Sequence, residues 1–161
     1  MERCRVQLTN NASWRSCRAW IANAKLGVLR RMATSCGSRR WAIPEGYIPS
    51  GSVDPDDRAL ISHEAACLLN TSDEDAKIAI TIYFEDREPA GPYHVVLGAR
   101  RTFHLRFNDL CDPERIPRDT SYASMIESTV PIVVQHTRLD SRNPNIALLS
   151  TIAFAIAGDE Q

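Results

Sequence analysis

The run Val130-Pro131-Ile132-Val133-Val134-Gln135-His136-Thr137-Arg138-Leu139-Asp140 admits few folds. It opens as an apolar, β-branched segment and closes in a polar cluster, the pattern of a buried strand that carries functional groups to the rim of a sheet. In extended backbone Val130, Ile132, Val134, His136 and Arg138 share one face, and Val133, Gln135, Thr137 and Leu139 share the other. Neither face is cleanly apolar. One strand is asked both to pack and to present polar side chains, which points to a site or an interface.

Other segments repeat the two-residue period. His63 to Asn70 places His63, Ala65, Cys67 and Leu69 on one face. From Ala76 to Glu85, Ala76, Ile78, Ile80, Ile82 and Phe84 alternate with Lys77, Thr81, Tyr83 and Glu85. The connector Thr71-Ser72-Asp73-Glu74-Asp75 favours a turn, so these two strands are expected to form a hairpin. A second turn at Glu88–Pro92 leads to a strand over Tyr93–Leu97, and Gly98-Ala99-Arg100 leads to another over Arg101–Phe107. There Phe103, Leu105 and Phe107 read as core, while His104 and Arg106 join polar residues of a neighbouring strand. Trp41–Pro49 reads as a short strand running into a long Pro/Gly-punctuated loop that continues to Asp57. Ser121–Ser128 is expected to be a short helical or irregular turn. Ile146–Ala157 is expected to be a strand buried on both faces. Six or seven strands without a convincing helix predict a single-domain antiparallel β-sandwich.

With 161 residues, 43% apolar and 24% charged, the chain suits one globular domain. Its net charge of −1 hides an asymmetry: residues 1–40 carry +8 and the remainder −9. The acidic part disfavours a broad phosphate-binding surface. Five cysteines (Cys4, Cys17, Cys36, Cys67, Cys111) include no Cys-x-x-Cys pair, which predicts reduced thiols in a cytoplasmic protein. No window reaches the roughly 18 apolar residues of a membrane span. Residues 1–31 are Arg-rich and weakly patterned, and Met32 is expected to be the natural start. The expected domain organisation is a disordered or over-extended segment over 1–37, a β domain over 38–157 and a short tail over 158–161.

The chemistry-bearing residues do not form a catalytic signature. His63, Glu64, His104, His136 and Asp140 lack the local spacing of a metal site, so no metal or cofactor is expected. Cys67 alternates with apolar residues and reads as an inert core thiol, and no Gly-x-Ser-x-Gly frames a serine. No catalytic residue is expected. Arg100 and Arg101 beside Arg106 make a small basic spot that reads first as a charge-protected strand edge and only second as a nucleic-acid contact. Arg138 and Asp140, two apart on one face, are placed to bridge to each other or to clamp a partner. Trp41, Tyr47 and Tyr93 near Pro-rich loops suit a binding surface for a protein or a sugar, or half-buried loop anchors.

Several stretches then carry a resemblance. Trp41–Pro49, Ile61-Ser62-His63-Glu64, Asp73-Glu74-Asp75-Ala76, Ile80-Thr81-Ile82-Tyr83, Gly91-Pro92-Tyr93, Ala99-Arg100-Arg101-Thr102, Arg106–Leu110 and Val130–Arg142 closely resemble the soluble, cyanobacterial-type sensory rhodopsin transducer family, in order from about Ser38 to Ala155. The resemblance implies a cytoplasmic β-sandwich of the jelly-roll or carbohydrate-binding-module kind, assembled as a homotetramer. It implies a signalling role beside a membrane photoreceptor, with DNA binding also proposed for the family, and no catalytic residues.

Two readings of function follow, with a third behind them. In the first, the chain is a non-enzymatic adaptor that docks a sensory rhodopsin or other receptor through loop 41–57, including Glu45, and through His136, Arg138 and Asp140. In the second it is a small-ligand module, with a sugar as ligand, using Trp41, Tyr47, His63, Glu64, His104 and His136. DNA binding through Arg100, Arg101 and Arg106 ranks third, because the acidic domain attracts phosphate only where an oligomer gathers those arginines.

Overall fold

The computed structural model describes residues 36–157 of the chain. The expectations for residues 1–35 of the N-terminal segment and for 158–161 lie outside the described residues. Eight strands follow in order: β1 (Ser38–Tyr47), β2 (His63–Asn70), β3 (Ala76–Tyr83), β4 (Ala90–Leu97), β5 (Arg101–Arg106), β6 (Ser121–Asp140), β7 (Ala147–Ile152) and β8 (Phe154–Ala155). A single 3-10 turn over Phe107–Asp109 follows β5. Every pairing is antiparallel.

The 20-residue β6 is the spine. Its first half lies between β1 and β3, giving the order β4-β3-β6-β1-β8. Its second half lies between β2 and β7, and β5 pairs on the far side of β2. The even-numbered residues Tyr122, Ser124, Ile126, Val130, Ile132, Val134 and His136 all point inward, as alternation from residue 130 onward predicts. Buried residues of both strand groups, including Leu68, Ile80, Leu105, Ile126 and Ile132, form one core cluster.

The expected irregular turn at Ser121–Ser128 is instead strand. Ser121, Ser124 and Ser128 weaken its apolar signal, but β1 and β3 flank it and supply hydrogen bonds that no local pattern records. The expected hairpin of β2 and β3 is also corrected, because β2 pairs with β5 and β6 while β3 pairs with β4 and β6. Turn chemistry marks where a strand ends, not whether the next one pairs with it. Buried Asn70 secures the crossover, its amide donating to Glu74 O at 2.8 Å and to Gly98 O at 3.2 Å.

Two aromatics expected at the surface are core: Trp41 is 4% and Tyr93 1% exposed. The Trp41 indole N–H donates to Ser38 O at 2.9 Å and Ile132 O at 3.1 Å, so the polar end of the ring is satisfied inside. The C-terminal run is corrected in the opposite sense. All of β7 is exposed, with Leu148 at 72% and Ile152 at 62%, and Phe154 of β8 is at 69%. An uncharged run fits a doubly covered strand or an uncovered edge equally well, and among the described residues β7 has a neighbour only on its β6 side. Cys111, expected as a reduced thiol, is disulfide-bonded, while Cys36 and Cys67 are free. Disulfide pairing follows proximity in space rather than spacing in sequence.

Candidate functional site

Glu64 of β2 is fully buried, and its carboxylate is the hub of a polar network. Alternation turns Glu64 inward with Ala66 and Leu68, while His63 on the same strand faces the other way. β6 runs beside β2 with Glu64 opposite Arg138 and Ala66 opposite His136, which brings both basic side chains to the carboxylate. His136 Nε2 contacts Glu64 Oε1, Arg138 Nε donates to Oε2 at 3.3 Å and Arg138 Nη2 to Oε1 at 3.3 Å. The backbone N–H of Tyr47, at the end of β1, donates to Oε2 at 2.5 Å. Four donors around one carboxylate are what a buried charge requires.

Arg138 also reaches outward, its Nη1 donating to Glu45 Oε1 at 3.1 Å. Burial pulls the Arg138 pKa down, but hydrogen bonds and charge from Glu64 and Glu45 outweigh it, and the guanidinium is held above its ordinary value. Beside this network Tyr122 is buried and edge-on to Phe107. Burial first, then the Glu64 charge, raise its phenol well above the usual range. Gly46 lies against this ring: a Cβ there would fall 2.3 Å from Tyr122 Cε2. Only a residue without a side chain lets β1 pass so close.

Glu45 and His136 also line a cleft of about 590 Å³, with Ile43 and Pro44 of β1 and the segment Leu149, Thr151, Ile152, Ala153, Phe154 and Ala155. Pro44 sits where the β1–β6 register shifts, a position that needs no ladder N–H. The cleft is thus apolar-walled with a few polar groups, and its C-terminal wall is the exposed β7–β8 edge. Sequence reasoning did not single out that wall. Its only signal was an apolar, uncharged run at the end of the chain.

The remaining candidates lie apart from this site. Asp140 pairs with Arg142 through contacts of 2.6 to 3.1 Å, not with Arg138. Those hydrogen bonds hold the Asp140 carboxyl below its ordinary pKa. Tyr47 OH donates to Asp119 at 3.1 Å. His63 and His104 lie on the opposite face of β2 and β5, edge to face with centroids 5.9 Å apart. The set Trp41, Tyr47, His63, Glu64, His104 and His136 is therefore divided between core, rim and two faces. Arg100 pairs with Asp73 at 3.0 Å and Arg106 donates to Arg58 O at 2.8 Å, at opposite ends of β5. Together with Arg101 they do not converge into one patch within this chain. Among the described residues no three His, Cys, Asp or Glu side chains are arranged to hold a metal ion.

Residues 36–155 match the sequence model of the family described as the Anabaena sensory rhodopsin transducer. Among solved structures, one titled "Anabaena sensory rhodopsin transducer" is 56% identical, with a TM-score of 0.58 over 64% of this chain and 99% of that one. A second, titled "Crystal Structure of Thermotoga maritima 1070", is 40% identical, with a TM-score of 0.65 over 76% of this chain and 98% of that one. A search of curated proteins finds no match. No helix among the described residues is long and apolar enough to cross a membrane.

Proposed function

From the membership of this chain in the Anabaena sensory rhodopsin transducer family, we propose that it is a non-enzymatic, cytoplasmic adaptor that couples a membrane photoreceptor to a downstream partner. Its working part is residues 38–157, a β-sandwich of jelly-roll kind; the single core cluster drawn from both strand groups supports that arrangement. The observation that carries the docking surface is the uncovered apolar edge of β7 and β8, where Leu148, Ile152 and Phe154 are exposed and Ile152 and Phe154 line the cleft together with Glu45 and His136. Exposed apolar side chains grouped beside a cleft are costly in water unless a protein partner covers them. The same edge suits self-association into the homotetramer, because a strand with one free side pairs readily with its own copy.

Isothermal titration against Anabaena sensory rhodopsin in nanodiscs tests the reading. Saturable binding is expected, and Leu148→Asp with Phe154→Asp is expected to weaken it at least tenfold. No binding, or binding that the double variant leaves unchanged, would overturn the assignment of this surface.

A second reading, a small-ligand module for a sugar, is supported by the cleft itself. About 590 Å³ lies within the usual range for small-molecule pockets, and Glu45, His136 and Thr151 supply polar groups against apolar walls. A thermal-shift screen with sugars separates it from the first. A ligand at 100 times its dissociation constant adds about 2.7 kcal/mol of stability, and no shift removes this reading.

A further inference from the structure

The outer face of β2 and β5 holds a cluster that the docking reading does not use. Cys67 and His104 stand directly opposite in the β2–β5 register, and the Cys67 Sγ lies 3.1 Å from His104 Nδ1. On its other side Cys67 faces Gln135 of β6, and Ala65, one pleat away, faces Arg106 and Thr137. His63 packs edge-on to His104, and its own Nδ1 is engaged with Ile61 O at 2.7 Å. The titratable and charged groups of this face are thus Cys67, His63, His104, Arg106 and, across the Arg106 guanidinium, Arg58; β6 contributes only neutral Gln135 and Thr137. Among the described residues no acid on the face cancels these cationic side chains, and the nearby carboxylate of Asp109 is paired with Arg58 at 2.7 Å.

We propose that Cys67 is a site of covalent modification by small soft electrophiles, with His104 as the base that takes its proton. The Cys67 Sγ lies within hydrogen-bond reach of an imidazole nitrogen, the arrangement in which a thiol passes its proton to a base as the sulfur attacks. Burial and then the Arg106 charge hold the His104 pKa below its ordinary value. A neutral ring with its proton on Nε2 presents Nδ1 as the acceptor of the S–H proton. Among the described residues β5 pairs only with β2, so the pair lies beside a sheet edge, and Cys67 itself is half-buried, which restricts the electrophile to a small one. With iodoacetamide the Cys67 sulfur forms a bond to the methylene carbon and the carbon–iodine bond breaks. Iodide leaves with its electron pair, and the thiol proton passes to His104 Nδ1 and on to solvent.

The chain contains its own control. Cys36 is free and exposed, with no imidazole beside it in any hydrogen bond, and an ordinary thiol reacts faster the more exposed it is. Alkylation of the full chain with iodoacetamide at pH 7, followed by peptide-resolved mass spectrometry, is expected to label Cys67 at least fivefold faster than Cys36. His104→Gln is expected to slow Cys67 at least fivefold and leave Cys36 unchanged. A slower Cys67 in the native chain, or an unchanged Cys67 rate in a folded variant, overturns the proposal.

Discussion

The two faces of β2 handle polar groups in opposite ways. Inward, Glu64 is sealed from water and every one of its partners is supplied by the fold: His136 and Arg138 from β6 and a backbone N–H from the end of β1. Outward, Cys67 and His104 keep partial contact with water and hold one another. The inner carboxylate is costly if any partner is removed, because nothing else can solvate it. The outer pair can lose a member and recruit water instead. Burial, more than residue type, determines which group is structural and which is available for chemistry.

The largest expected break in that comparison is at the hub. Glu64→Ala leaves Arg138 without its buried counter-charge and His136 without its buried partner, and is expected to cost about 3–5 kcal/mol, read as a lowered urea midpoint. An effect below about 1 kcal/mol would show that water reaches the network. Next comes Gly46→Ala, which drives a methyl into the Tyr122 ring. Because that ring is buried against Phe107, the expected cost is about 1–3 kcal/mol. A neutral result would mean that the ring has room to swing away.

On the outer face the same urea measurement is expected to move by less than about 0.5 kcal/mol for His104→Gln, as for other exposed positions. Its pH dependence is the sharper readout. Burial first holds His63 below its ordinary pKa, with neighbouring cations adding, and His104 behaves likewise. The unfolded chain therefore binds protons that the folded chain refuses once pH drops below about 6.5. This contribution is absent at pH 7.5 and destabilises progressively as pH falls from about 6.5 toward the lowered folded values. His104→Gln is expected to flatten that part of the curve. The smallest effect on folding is expected from Phe154→Ser, within about 0.5 kcal/mol, although light scattering should show weakened self-association. A monomeric native chain at micromolar concentration would remove the self-association proposal.

Much of this was legible before any coordinates. The β2 boundaries, the alternation of β3 and the inward face of β6 follow from apolar spacing; the polar neighbours expected for His104 and Arg106 do not, since the register sets them opposite Cys67 and Ala65. The polar end of β6 marks where a counter-charge has to be met inside the fold, since a strand rarely buries an arginine such as Arg138 without one. Glu64 was readable as a candidate but not as that counter-charge, because its alternation shows a face and not a partner. Trp41 was misplaced for a related reason: an aromatic beside a Pro-rich loop suits surface and core alike until the acceptors for its indole N–H are known.

The sequence by itself determined that this chain is built of antiparallel strands, where most of them begin and end, and which side chains of each share a face. Those properties need only neighbours two residues apart. Tertiary structure decided that β2 crosses to β5 instead of pairing with β3, and that β7 lies uncovered at an edge. It also decided that Glu45, Glu64, His136 and Arg138 meet at one point. The Glu64–His136 contact joins residues 72 apart, and the Glu45–Arg138 contact joins residues 93 apart. Contacts of that span are selected by how whole strands pack and share one core, a global competition that no local period encodes.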